Sequence, residues 1–243
     1  MYYIVIILMH DTVICIPYRN RKPHLDYFIL NTCPLFKKCM PNTKVLIIEQ
    51  AGDKLFNRGK LLNVGFKEYS DKTQYLMTHD IDINPTEDTI CKYYMSDISD
   101  HSVMGIYTSA CNTLGGIIKF RPSTIISCNG FPNNYWGWGV EDKSIQNRCE
   151  FIGVHIVKNI LNNDPLRNMY FTIFNDMNDR IKIDNLHIRV RFEYRTFKKL
   201  SPQQQKAHIG LSGLNNLDYS IISRHTLSDN IDHIIVDISE GSN

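Results

Sequence analysis

Paired cysteines, long apolar runs and a surplus of charge of either sign are all missing from this sequence. The seven cysteines, from Cys15 to Cys149, are odd in number and nowhere form a Cys-x-x-Cys pair, so neither a zinc knuckle nor a regular disulfide framework is indicated. A reducing compartment is the simpler expectation. The N-terminal apolar run Tyr2 to Met9 is far shorter than the roughly 20 residues that cross a bilayer, and it lacks a basic flank or small-residue cleavage site. It reads as a strand, with neither signal peptide nor membrane anchor. The expected setting is therefore cytoplasmic or otherwise non-secretory, including viral or host cytoplasm. The 27 Lys and Arg against 25 Asp and Glu leave a formal charge of +2, without the basic surplus of a nucleic-acid surface. The one basic cluster, Arg189, Arg191, Arg195, Lys198 and Lys199, reads as a solvated face or a contact for an anionic substrate, and no nucleic-acid partner is expected.

What is present suits one α/β domain. A chain of 243 residues with 43% hydrophobic and 11% aromatic residues can bury one sizeable core. Short β-branched runs at Tyr3 to Leu8, Thr12 to Pro17, Lys44 to Glu49, Thr73 to Met77, Val103 to Thr108, Gly116 to Phe120 and His233 to Ile238 read as strands. Helical spacing appears around Leu25 to Leu30, interrupted near Pro34, and from Asn57, as its cap, to Tyr69. Pro122 opens a short helix, and Ile145, Cys149 and Ile152 mark a longer one that begins at Glu141. Residues 162–185 are Asn- and Asp-rich and poorly patterned, and they read as a loop or insertion within a single 1–243 unit.

Two stretches carry chemistry. Asp80-Ile81-Asp82 follows a strand, and carboxylates at i and i+2 can serve one hard divalent cation, Mn²⁺ or Mg²⁺, beside a diphosphate. A plain strand-end turn gives the same pattern. The run Asn129 to Asp142 sets both tryptophans, Trp136 and Trp138, between glycines just before Glu141-Asp142. Aromatic faces stack on sugar rings, glycines let a loop move, and a carboxylate can take a hydroxyl proton. The alternatives are ordinary turn packing and two acids that complement a helix dipole.

Ile16-Pro17-Tyr18-Arg19-Asn20-Arg21, Gln50-Ala51-Gly52-Asp53, Phe56 to Phe66, Asp80-Ile81-Asp82, Gly115-Gly116, the tryptophan run, Gly213 to Leu217 and Ile235 to Ile238 together resemble, in the same order, the β-1,4-galactosyltransferase family. That resemblance implies a GT-A-type, Rossmann-like domain with a mixed central sheet. It would bind a UDP-sugar and Mn²⁺ and invert the anomeric configuration as it transfers galactose, or a related hexose, to a glycan acceptor. By the same resemblance Pro17, Arg19, Arg21, Phe56, Arg58, Asp80, Ile81, Asp82, Gly116 and Trp138 would hold the donor. Trp138, Gly139, Glu141 and Asp142 would face the acceptor. Asp142 would be the catalytic base, kept ionised by its helix start, so that its basicity would come from orientation more than from a raised pKa. Asp82 would bind the metal, helped by His187 and Asp184 beyond the catalytic helix.

The sequence departs from the family pattern at three places. Lys143 stands where the family has another acid, which bears on the acceptor. Ala110 to Leu114 replace aromatic residues that line the donor-sugar pocket, which admits UDP-GalNAc or UDP-glucose as donors. The anchor, stem and disulfides of the family's lumenal members are not evident. A protein that kept the fold and binds nucleotide or sugar without turnover is the alternative reading.

Overall fold

The computed structural model describes residues 10–108, 113–137, 139–161, 164–173 and 195–238. Its centre is an eight-stranded mixed sheet. The strands in chain order are β1 (His10–Tyr18), β2 (Thr43–Gln50), β3 (Thr73–His79), β5 (Ser102–Thr108), β6 (Leu114–Phe120), β7 (His155–Leu161), β9 (Ser220–Ser228) and β10 (Ile231–Asp237). In space the order is β7-β5-β6-β3-β1-β2-β10-β9. β3, β1, β2 and β10 run parallel. β6 is antiparallel to both β3 and β5, and β9 is antiparallel to β10. A two-stranded ribbon pairs β4 (Ile83–Pro85) with β8 (Phe171–Ile173).

The apolar runs are continuous because both faces of the sheet are covered. Along β1, Ile14 and Ile16 point into one core, while Val13 and Cys15 point into the other; Val45 and Ile47 divide from Leu46 and Ile48 in the same way. The first core lies under α1 (Lys22–Tyr27) and α2 (Cys33–Cys39) and the segment Ile90–Tyr94, which follows α4 (Glu87–Thr89). The second lies under α3 (Arg58–Tyr69), α5 (Pro122–Ser127) and α6 (Glu141–Phe151).

Most predicted elements stand where the pattern puts them. Asn57 caps α3, its side chain accepting from Lys60 N at 2.9 Å. The break expected near Pro34 is corrected: Phe28–Thr32 forms one wide π-helical turn that joins α1 to α2. Pro34 then falls in the first turn of α2, where its missing N–H costs no helical bond. Of the 162–185 stretch only residues 164–173 are described, and they contain α7 (Arg167–Tyr170) and β8. The Tyr3 to Leu8 strand lies outside the described residues. A helix that was not foreseen, α8 (Pro202–Gly210), carries a complete capping box from Ser201 and Gln204. Among the described residues no helix is long and apolar enough to cross a membrane.

Candidate active site

The carboxyl ends of β1, β2 and β3 converge with the start of α3, the place where open α/β sheets bind ligands. Asp80 leaves β3 held from both sides. Its N–H donates to Gly116 O at 3.2 Å, and its carbonyl accepts from Ile83 N at 3.2 Å. Gly116 has φ +58, and a Cβ there would stand 2.6 Å from Tyr107 Cδ1 and 2.9 Å from Ile83 Cδ1. Gly116→Ala is therefore expected to cost roughly 2–4 kcal/mol, combining left-handed strain with overpacking. Thermal denaturation measures that cost.

Beneath the turn lies a buried aromatic floor. His79 is fully buried, with Nδ1 2.9 Å from Asp80 O and Nε2 2.9 Å from Tyr94 Oη, and its ring packs against Phe28 and Phe36. Burial pushes its pKa down from 6.5 to about 4, against the upward pull of Asp80's carbonyl and carboxylate. The unfolded chain takes up the proton near 6.5 and the folded chain only near 4, so stability is full above 6.5 and falls as pH drops through that window. A loss of about 3 kcal/mol is expected by the low end. Urea melts at pH 7 and 4.5 should show the loss, and His79→Gln should flatten it.

Arg58 joins the distant parts of the sequence. As the first residue of α3 it donates from Nε to Asp80 Oδ1 at 2.8 Å and from Nη1 to Asp142 Oδ1 at 2.9 Å, and Glu141 Oε1 stands 3.8 Å from Nη1. Its Nη2 is buried without a partner. Burial acts to lower the arginine pKa, but Asp80, Asp142 and Glu141 outweigh it and raise the value. Asp142 is raised well above the usual carboxylate range, by burial first and then by Glu141 and Asp80, against the pull of Arg58. The expectation that Asp142 keeps an ordinary pKa is thus corrected, because removal from water outweighs the favourable helix start. Burial likewise raises Glu141, with Arg58 opposing.

On the neighbouring side Arg21 Nη2 lies 3.3 Å from Asp82 Oδ2 and 3.2 Å from His24 Nε2, and Arg21 Nε is buried without a partner. Asp82 is raised by burial and by Asp80, with Arg21 opposing. The guanidinium of Arg19 lies 5.6 Å from the centre of the Phe56 ring and donates to Lys54 O. Pro17 is buried in β1 beside Ile48, and Ile81 is buried in the first core.

The loop leading to Asp142 is held by residues that sequence reasoning missed. Asn63 accepts from Phe131 N at 2.9 Å and donates to Phe131 O at 2.7 Å and Asn133 Oδ1 at 2.8 Å. Buried Arg148 donates to Asn129 O, Gly130 O and Ser212 O, and burial lowers its pKa to about 10. Gly137 N donates to Phe56 O at 2.8 Å, which ties the loop to the base of α3. Val140, β-branched yet at φ +66, turns the chain into α6 beside Gly139, a costly conformation held by its surroundings. A buried Asn in mid-helix and a buried Arg are the sequence signals that could have marked two of these residues.

Trp138, Asp184 and His187 lie outside the described residues, as do Ala110 to Asn112. Of the basic stretch only residues 195–200 are described, and there Lys198 pairs with Glu150 at 3.5 Å.

Two family models match in succession. The N-terminal region of glycosyl transferase group 7 matches residues 7–96, and a galactosyltransferase domain model (N-terminal domain of galactosyltransferase) matches residues 101–163. β-1,4-Galactosyltransferase 1 of Bos taurus is 37% identical over 153 residues, 60% of this chain. The chain belongs to the β-1,4-galactosyltransferase family. β-1,4-Galactosyltransferase 3 of Bos taurus is 28% identical over 222 residues, 88% of the chain. The catalytic domain of Drosophila β-1,4-galactosyltransferase 7, solved with xylobiose, superposes with a TM-score of 0.74 at 22% identity over 95% of each chain. A mutant of that enzyme, solved with manganese, UDP-Gal and xylobiose, gives 0.75 at 23% over 95% of each chain. These likenesses show the GT-A-type α/β fold with its mixed sheet.

The matched part is 38% of the first relative and 52% of the second. The cytoplasmic or non-secretory expectation is corrected here, since the homologous β-1,4-galactosyltransferases are membrane-anchored Golgi proteins. The chain spans about half or less of these relatives, and that no helix among the described residues could cross a membrane does not place the protein.

Proposed function

We propose that residues 1–243 form a single catalytic domain of a metal-dependent, inverting transferase that moves galactose, or a related hexose, from UDP to an acceptor sugar hydroxyl. The observation that carries this reading is the bridge through Arg58, which sets the Asp142 carboxylate beside the Asp80-Ile81-Asp82 turn. Family membership supports the donor class. The family's solved relative bound to manganese, UDP-Gal and xylobiose supports the cation and a sugar acceptor.

The donor set suits a divalent cation. Four acids, Asp80, Asp82, Glu141 and Asp142, face two guanidinium groups, Arg21 and Arg58, a deficit of positive charge made of hard oxygen ligands. Asp82 would hold Mn²⁺, with Mg²⁺ as the alternative. Asp184 and His187 are proposed as further ligands. Among the described residues no three candidate ligands converge. The cation when bound neutralises the leaving diphosphate.

The remaining steps belong to the side chains. Phe56 offers a face for uracil, with Arg19 stacked on it, and Pro17 shapes that end of the cleft. Arg21 and Arg58 each keep a buried N–H for an anionic oxygen of the donor. Glu141 and Gly139 hold the acceptor, and Trp138 closes over the sugars. Asp142 takes the acceptor proton while the freed oxygen attacks the anomeric carbon from the face opposite UDP, so an α-linked donor gives a β-linked product.

Calorimetry with UDP in the presence and absence of Mn²⁺ tests the donor half. Binding should strengthen with Mn²⁺, and Asp82→Ala should lose that increment. UDP binding that ignores Mn²⁺, with no donor turned over, would instead identify a silent binding protein.

A further inference from the structure

We propose that Cys39 and Cys91 are a redox pair that closes into a disulfide and pins the helical layer beneath the Asp80-Ile81-Asp82 turn. Cys39 ends α2, and Cys91 lies in the turn Ile90–Tyr94. Burial, and then the contact with the Cys91 side chain, raises the Cys39 thiol. Cys39 and Cys91 are the two described cysteines that are not buried, Cys91 being exposed and Cys39 half-buried, whereas Cys15, Cys33, Cys128 and Cys149 are closed off. The two elements are already clamped around the pair. Lys38 Nζ stands 2.7 Å from Glu87 Oε1, and the rings of Phe36 and Tyr94 are 5.6 Å apart. The two elements that carry the thiols are thus held against each other.

The chemistry is thiol exchange with a small disulfide such as oxidised glutathione. The exposed Cys91 thiolate attacks one sulfur of the reagent, forms a mixed disulfide and releases one thiol. The Cys39 thiolate then attacks Cys91 Sγ and expels the second thiol. Two protein thiols are oxidised, one external disulfide is reduced to two thiols, and the two protons pass to the leaving thiolates. Lys38 opposes the rise that burial and Cys91 impose on the Cys39 thiol.

The bond would close a loop of about 50 residues, long enough for a substantial restriction of the unfolded chain. Its position gives it a target. Tyr94, three residues beyond Cys91, donates or accepts the 2.9 Å bond to His79, and His79 holds the Asp80 carbonyl. Fixing α2 to the 90–94 turn fixes the floor on which the carboxylate turn rests.

The whole protein is equilibrated in oxidised glutathione or in dithiothreitol, digested without reduction, and melted under each condition. The expected result is a peptide pair linked through Cys39 and Cys91, with a melting midpoint about 5–10 °C higher when oxidised and no such rise in Cys91→Ser or Cys39→Ser. Substitution at the exposed Cys91 leaves the fold intact, so reduced Cys91→Ser should melt with the reduced wild type. Separate glutathione adducts, a bond from either residue to Cys111 instead, or a linked pair whose midpoint does not move would each overturn the proposal.

Discussion

Asp142→Asn is expected to lower kcat for sugar transfer by roughly 10²–10⁴-fold, the contribution of a positioned general base, while the donor KM stays within about twofold. The amide is nearly isosteric, and its oxygen still accepts the hydrogen bond that Arg58 Nη1 gives at 2.9 Å, so the loop and the Asp80 turn remain in place. Because burial and the neighbouring Glu141 and Asp80 raise Asp142, the wild-type rate should climb with pH along a limb placed above the usual carboxylate range. A base works only when deprotonated, so activity is gained as pH rises through its pKa. The same limb should vanish from the residual activity of Asp142→Asn. A drop in donor affinity equal to the drop in kcat would instead make Asp142 a structural support.

Arg58→Met has the larger effect on the fold. It removes the guanidinium shared by Asp80, Glu141 and Asp142, whose side chains are 31%, 12% and 27% exposed, and leaves like charges facing one another. Breaking such a pair at one end costs about 3–5 kcal/mol. With Arg58 gone, the folded-state pKa values of Glu141 and Asp142, already raised, move further up. Groups raised in the folded state stabilise fully below their unfolded pKa and lose that contribution as pH rises. The gap between variant and wild type should therefore shrink on acidification from pH 7.5 to 5. The His79 penalty acts on both proteins and cancels in the difference. Millimolar Mn²⁺ at pH 7.5 should also narrow the gap, since a cation takes over part of the lost charge. A gap equal at both pH values would mean that Arg58 stabilises by packing and not by charge.

How much of this was legible in the sequence depends on how local each cause is. β1, β2, β3, β5, β6 and β10 are short apolar runs buried by the sheet, and α3 announces itself through Asn57; both signals are contained within a few residues. β9 is exposed along almost its whole length, so it has no burial alternation to read. β4 and β8 are three residues each and are defined by each other across a long stretch of chain. The site divides in the same way. Asp80, Asp82 and Asp142 stand in recognisable local patterns, yet Arg58 reads as a nucleotide contact until the fold brings it against two carboxylates from separate segments. The raised pKa of Asp142 was hidden for the same reason, because desolvation is set by what surrounds the helix start and not by the helix itself.

The most direct test is product analysis with purified protein, UDP-Gal and Mn²⁺, offered a panel of β-xylosides and N-acetylglucosaminides, followed by NMR of the new linkage. The predicted result is release of UDP with a β-linked galactoside, abolished by chelation of the metal and lowered at least about a hundredfold in Asp142→Asn. An α-linked product, or transfer by Asp142→Asn at the wild-type rate, would contradict inversion with Asp142 as the base.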